Sequence, residues 1–299
     1  MALQSSGAIS LSDIQTEFGG SNPISLSEYY GVDTVPASGA ISLNDFYGTS
    51  NAAYVAATGG SISTSGNYKT HTFTGSGTFT ITNAGNAAGS NSIDYVVVGG
   101  GGRGSNYSNR HGAGGGGQVL TGTTTSFSAQ GYSITVGGSQ STSTGLGITA
   151  KSGYYGWINR SGASWSPSGS RIGGNCSYGG NYYNCTYYAG GAGSGGVGGN
   201  PTTISGCYGY STYRGGNGGS GVSTATRGTI GGGGGAAGTS CGAGGTGQHG
   251  GGNGCATGWK GQCSGSHGTA NKGGGAGGSD GSTTRNGGSG VVTFKYRYQ

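Results

Sequence analysis

Ten of the chain's 20 tyrosines lie between residues 151 and 213 (Tyr154, Tyr155, Tyr178, Tyr182, Tyr183, Tyr187, Tyr188, Tyr208, Tyr210 and Tyr213), with Trp157 and Trp165 among them and Trp259 further on. Tyr and Trp present large rigid surfaces that end in a polar group, and planar rings stack on sugar faces. The chemistry such a segment suits is recognition of a glycan or a protein loop. The competing expectation is a local aromatic core stapled by Cys176, Cys185 and Cys207.

Bond-making chemistry finds little to work with. Beyond residue 68 the only carboxylates are Asp94 and Asp280, and nothing in their spacing pairs them as a glycosidase requires. Cys241, His249, Cys255, Cys263 and His267 are metal-ligand types, but they contain no Cys-x-x-Cys pair and match no zinc module. Gly99 to Gly102 follow a strand-like run, yet no helix-forming stretch follows to build a dinucleotide site. We therefore expect no catalytic residue, no metal and no cofactor. The 6 cysteines permit three disulfides whose pairing the spacing leaves open.

The formal net charge of +6 is unevenly placed: five acids and no Lys or Arg lie in residues 1–68, and all 13 bases lie beyond. Arg103, Arg110, Arg160, Arg171, Arg214, Arg227, Lys260, Lys272 and Arg285 are interleaved with glycine. They either meet phosphates of an anionic polymer or remain solvated.

Three elements must position these residues. Residues 5–48 hold an imperfect repeat, Ile9-Ser-Leu-Ser-Asp13-Ile14, Ile24-Ser-Leu-Ser-Glu28-Tyr29 and Ile41-Ser-Leu-Asn-Asp45-Phe46. Ser10, Ser25 and Ser42 read as N-caps with an acid at N3, and each preceding Ile staples the residue at N4. Gly19, Gly31 and Gly48 then stop the helices. Helices this short must pack on one another, on sibling chains or on a larger partner. The apolar set is Ile9, Leu11, Ile14, Phe18, Ile24, Leu26, Tyr29, Ile41, Leu43 and Phe46, and a docking segment is the expectation.

Alternating Thr and apolar residues from Tyr68 to Ile81 around Gly75-Ser76-Gly77 predict a β-hairpin. Further strands are expected at 93–98, 118–120, 132–136 and 291–298. Between them lie eight glycine-rich stretches, at 99–102, 112–117, 190–199, 215–221, 231–238, 242–254, 273–281 and 287–290. The chain has 79 Gly against 37 Val, Ile, Leu and Phe together, too few for an ordinary core, while irregular Gly spacing and 4 Pro exclude collagen. Polyproline-II-type helices of glycine, three residues per turn, could bond laterally through their backbones, and no Pro interrupts the runs. No apolar run is long enough to span a membrane, and the opening MALQSSGAIS lacks the basic and apolar regions of a secretory signal.

The Ile-Ser-Leu repeats, Tyr68-Lys-Thr-His-Thr-Phe-Thr-Gly-Ser-Gly-Thr-Phe, Asp94-Tyr-Val-Val-Val-Gly-Gly-Gly-Gly and Gly287-Gly-Ser-Gly-Val-Val-Thr-Phe together resemble glycine-rich bacteriophage tail fibre and tail-tip adhesins. The glycine body is similar to adhesin tips of stacked polyglycine-II helices with variable loops. The resemblance implies a mainly β fold with short capped helices, a strand frame and a polyglycine-II body. It implies a docking segment at 1–50, a β-rich connector at 51–138 and a receptor-binding body at 139–299. The partners it implies are other tail or baseplate proteins, a host cell-surface receptor and further copies of the chain, commonly three, in a virion. The long 139–188 segment and the six cysteines depart from the pattern, which leaves the receptor open. The alternative is a Gly/Tyr/Arg-rich low-complexity chain that binds nucleic acid, with Tyr stacking on bases. Only one Arg-Gly-Gly, at Arg214, supports it.

Overall fold

A computed structural model describes residues 2–105, 112–156, 190–199, 202–207, 210–238, 242–256, 263–279 and 283–299. The first repeat forms helix α1 (Leu11–Phe18), with Ser10 accepting the Asp13 N–H at 3.2 Å and the Asp13 carboxylate accepting the Ser10 N–H at 2.8 Å. Glu28 and Asp45 accept from Ser25 and Ser42 N–H in the same way, at 3.1 and 2.7 Å. These two copies are single 3₁₀ turns, Leu26–Tyr29 and Leu43–Phe46, and not longer helices. Tyr30 and Tyr47 are extended, and Gly31 and Gly48 take φ of 75° and 72°, which turns the chain away one turn after each cap.

Ile14, Tyr29, Val35 and Phe46 are buried together. The rings of Phe18, Tyr29 and Phe46 form a triangle with centroids 5.9–6.4 Å apart. Leu3 N–H donates to Thr49 O and Gly48 N–H to Gln4 O, closing the unit on itself. The two acids outside the caps hold its exit: Asp33 accepts Ser50 N–H at 2.8 Å and Glu17 accepts Asn51 N–H at 3.0 Å.

The frame is a β-sandwich. Its larger sheet is antiparallel, in the order β2 (Ser61–Ser65), β3 (Tyr68–Phe73), β14 (Val291–Arg297), β5 (Ile93–Val98), β6 (Val119–Thr124). The smaller sheet is β1 (Val55–Thr58), β4 (Gly77–Ala84), β7 (Gly131–Ile134). The expected hairpin between Phe73 and Phe79 does not form, because β3 pairs with β2 and β14 while β4 pairs with β1 and β7. Thr74 to Ser76 instead cross between the sheets, which lets Phe73 and Phe79 meet edge-on from opposite walls at 6.2 Å, with Phe294 completing a triangle of rings. Two-residue alternation is identical for a hairpin and for this crossover, so burial decides. Hairpins β8 (Ser143–Gly145) with β9 (Ile148–Ala150), β10 (Thr202–Cys207) with β11 (Tyr210–Arg214) and β12 (Val222–Thr224) with β13 (Gly228–Ile230) complete the strands.

His71 lies fully buried in that core. Its Nδ1–H donates to Gly59 O at 2.7 Å, and its Nε2 accepts the Tyr296 hydroxyl at 2.9 Å, which itself accepts Ala57 N–H. Burial holds the imidazole below its ordinary pKa of 6.5, with Lys69 adding to the effect and the Gly59 bond opposing it. Burial likewise raises Tyr296, against the opposing bond to Ala57.

From the sandwich the chain passes into glycine. Strand β5 pairs with β6 and β14 up to Val98, and its continuation keeps the same neighbours with a new step. Gly99, Gly102 and Ser105 donate to Gln118, Gly115 and Gly112, while Gly101 and Gly104 donate to Gly288 and Arg285. Every third residue thus faces the same neighbour, the signature of a threefold helix rising about 3.1 Å per residue. The 231–238 run bonds on all sides: to 190–199 (Gly191→Gly234, Ser194→Gly231), 215–221 (Gly233→Gly219, Ala236→Gly216), 242–248 (Gly245→Ala236, Gln248→Gly233), 250–255 (Gly235→Gly252, Gly238→Cys255), 273–279 (Gly275→Gly232, Gly278→Gly235) and Gly114. The 273–279 run is enclosed in the same way. This is a hexagonal array of parallel and antiparallel polyglycine-II rods whose backbones satisfy one another.

Side chains are excluded from it by distance. A Cβ on Gly233 would lie 1.8 Å from Gly191 O, and one on Gly275 would lie 1.9 Å from Gly114 O. The α-hydrogen in that direction points at the carbonyl, so the packing adds Cα–H···O contacts to the N–H bonds. Ala113, Ala192, Ala236, Ala237 and Ala276 are buried where a methyl does fit. The division expected at 138/139 is not a structural boundary. The 99–105 and 112–118 rods belong to the array, and β14 returns from the far end of the sequence to the middle of the larger sheet.

Candidate functional site

The rods alternate in direction, so the array has a sandwich end and a distal end. At the sandwich end Gly99 bonds Gln118, Gly231 bonds Lys272, and Gly273 bonds Ser289. At the distal end Ser105 N–H donates to Gly112 O at 2.9 Å, Gly190 to Gly199 O at 3.0 Å, Gly238 to Cys255 O at 2.9 Å and Gly156 to Arg103 O at 2.9 Å. Gly265 N–H donates there to Ser279 Oγ at 3.1 Å. These pairs are the rims from which residues 106–111, 157–189, 239–241, 257–262 and 280–282 depart, and the β10–β11 hairpin follows Gly199 at the same end. The Cys255–Cys263 disulfide ties two adjacent rods at this rim.

The N-terminal unit lies at the other pole. Val55 pairs with Ala84 at the end of β4, while Gly77 at its start pairs with Ile134, next to the 137–141 segment that bonds the array. The order along the molecule is therefore capped-turn unit, sandwich, glycine array, distal rim.

Among the aromatic candidates, Tyr154 is 51% exposed on the 151–156 rod and Tyr155 is half-buried. Tyr210 and Tyr213 stand on β11, for which the backbone is described. Trp157, Trp165, Tyr178, Tyr182, Tyr183, Tyr187, Tyr188, Tyr208 and Trp259 lie outside the described residues, as do Cys176, Cys185 and Cys241. Nine of the ten apolar docking candidates, all but Leu11, converge in one cluster inside the N-terminal unit. Ile14, Tyr29 and Phe46 are its interior, six others are half-buried around it, and Leu11 is half-buried outside it.

The basic residues divide. Arg103 and Arg214 are exposed at the distal end, and Arg285 there reaches His267 Nε2 at 3.3 Å. Lys272 and Arg227, whose guanidinium donates to Asn271 O, sit at the sandwich end. Arg110, Arg160, Arg171 and Lys260 lie outside the described residues. No carboxylate occurs among the described residues from 99 to 290, so the described part of the distal rim, with Arg103, Arg214 and Arg285, is electropositive. Asp94 is on β5, toward the opposite pole, accepting the Thr123 hydroxyl at 2.6 Å. It lines a polar cleft of about 350 Å³ with Tyr68, Lys295 and Arg297. Cys255 and Cys263 are bonded to each other, so neither offers a thiolate to a metal.

A set of polar side chains that sequence reasoning missed seals the outer rods. Asn217 and Asn253 accept the N–H groups of Thr246 and Gly247, His249 accepts Gly221 N–H, and His267 accepts Asn286 N–H. Asn217 and Asn253 stand directly between glycines, which was the available signal for these two. No family model, curated protein or solved structure matches the chain.

Proposed function

We propose that the protein is a non-enzymatic phage tail fibre or adhesin that attaches to the tail through its N-terminal unit and binds a host-surface receptor at its distal rim. The observation that carries this reading is the polarity of the molecule. A self-closed acidic unit stands at one pole, and at the other a rigid array opens into the segments that hold Trp157, Trp165, Tyr182, Tyr183, Tyr187 and Tyr188. A backbone-bonded array fixes where each departing segment starts and ends, and recognition surfaces are commonly loops carried on such rigid scaffolds. The electropositive rim favours an anionic receptor such as lipopolysaccharide, and the aromatic content suits a glycan or an outer-membrane protein loop equally. Attachment by the N-terminal unit uses its outer surface, because its apolar residues are packed inward.

The low-complexity nucleic-acid reading requires glycine runs free to adapt to a strand, whereas the described runs are bonded rod to rod. Replacing Tyr182, Tyr183, Tyr187 and Tyr188 with Ser should abolish attachment of the purified protein to host cells while its melting temperature is kept. Undiminished attachment would overturn the assignment of the rim. Removal of residues 2–48 should leave attachment intact and prevent incorporation into virions.

A further inference from the structure

Strand β2, Ser61-Ile-Ser-Thr-Ser65, is the outermost strand of the larger sheet, bonded only to β3, and all five of its residues are exposed. The other edges of the two sheets are guarded in part. Strand β1 carries a bulge at Ala56/Ala57 and turns its Ala57 N–H inward onto the Tyr296 hydroxyl. Strand β7 continues into a bridge between Thr135 and Thr144, and Val119 N–H at the start of β6 donates to Ser194 Oγ. Strand β2 has no charge, no Pro and no bulge, the devices that ordinarily keep an open edge single.

We propose that this edge pairs with the same edge of a second copy of the chain. The register follows from the backbone. Gly66 and Asn67 form a two-residue turn with Gly66 at φ 55°, so Ser65 and Tyr68 are its hydrogen-bonded closing pair. Bonding alternates along an antiparallel ladder, so Ser61, Ser63 and Ser65 bond β3 while Ile62 and Thr64 direct their N–H and C=O groups outward. A twofold axis through Ser63 sets Ile62 opposite Thr64 of the second copy in both directions, and every outward group finds a partner. Ile62, on the His71 side of the sheet and 52% exposed, then becomes the diagonal neighbour of its own counterpart. No like charges oppose one another. This twofold contact is separate from the threefold association that the resemblance implies, and it does not depend on the adhesin reading.

A five-residue edge is short beside the roughly 1,000 Å² that a stable interface buries, so pairing is weak between free chains and strong where copies are held side by side. The test is therefore a covalent trap in the full chain. In the twofold register the two copies of residue 63 are a non-hydrogen-bonded pair with Cβ atoms about 5 Å apart. Ser63→Cys should give about tenfold more disulfide dimer under mild oxidation than Ile62→Cys or the unmodified chain, the ratio that about 1.4 kcal/mol of pairing preference produces. Thr64→Pro removes one outward N–H and leaves the β3 ladder intact. Added to Ser63→Cys, it should return dimer to the background level without lowering the melting temperature. Equal cross-linking by Ser63→Cys and Ile62→Cys, or cross-linking indifferent to Thr64→Pro, overturns the proposal.

Discussion

The sandwich and the glycine array share strands, neighbours and direction, yet they are held by opposite means. In the sandwich the side chains specify the fold: Phe73, Phe79, Phe294 and Tyr296 interdigitate between two sheets, and the stabilisation scales with apolar area removed from water. In the array the side chain is what must be absent. Backbones close to carbonyl contact satisfy each other, and net hydrogen-bond contributions of about 1 kcal/mol each accumulate over many rods. The contrast teaches that a chain with few aliphatics can still order a large body if a small conventional core first fixes the register of its rods. Strands β5, β6 and β14 do this, since their pairings pass unbroken into the rods at 99–105, 112–118 and 285–290.

The comparison can be broken by reversing the direction of substitution. Gly233→Ala, trivial by size, forces a methyl to 1.8 Å from Gly191 O with rods on every side. It should cost about 4 kcal/mol or more, the range reached when overpacking cannot relax. Gly138→Ala, whose Cβ meets nothing within 4 Å, should stay within about 0.5 kcal/mol. Equal melting temperatures for the two variants would refute side-chain exclusion. In the sandwich the sensitive change is large to small. Phe294→Ala, fully buried and 4.7 Å from Phe79, should cost about 3–4 kcal/mol in denaturant unfolding.

A pH titration sharpens the difference further. Because burial depresses the folded pKa of His71 below 6.5, the unfolded chain binds the proton more readily, and stability falls as pH drops through and below 6.5. The slope is up to about 1.4 kcal/mol per pH unit. His71→Gln should flatten the profile measured by thermal melting between pH 7.5 and 5. The smallest effect belongs to the N-terminal unit. Hydrogen bonds from Ser10 hold Asp13 below its ordinary pKa of 3.8, so that contribution is kept above pH 4 and lost in more acid solution. Ser10→Ala should weaken α1 by about 1 kcal/mol, read by amide exchange at residues 11–18, without altering exchange in β14.

The three caps were legible in the sequence, since Ser and an acid three residues on carry the geometry locally, but the shortening of the second and third copies to single 3₁₀ turns was not. The glycine array was legible in kind, because Pro-free glycine with few aliphatics leaves backbone bonding as the alternative to disorder. Strands β1 and β2 were not legible. Val55-Ala-Ala-Thr58 and Ser61-Ile-Ser-Thr-Ser65 are poor in apolar residues and take their place through pairing with β4 and β3. The Phe73–Phe79 crossover escaped because only long-range pairing with Val292 to Arg297 distinguishes it from a hairpin. His71 had a readable signal, being in phase with Phe73 two residues on, but its polarity argued against a core position. For the distal rim, sequence named the residue types, while the end of the array from which their segments depart became visible only in the bonding pattern.

The three-residue step has a consequence for how such a chain can change length. Inserting one residue into a rod turns every later donor by about 120°, so each meets the wrong neighbour. Inserting three moves the rod by one turn and restores every facing. Insertions and deletions within the rods are thus restricted to multiples of three. Those in β5 or β14 must preserve the two-residue alternation, and those beyond the distal rim answer to neither count. The same gene can drift freely in length at one pole while being held to a fixed grammar a few residues away.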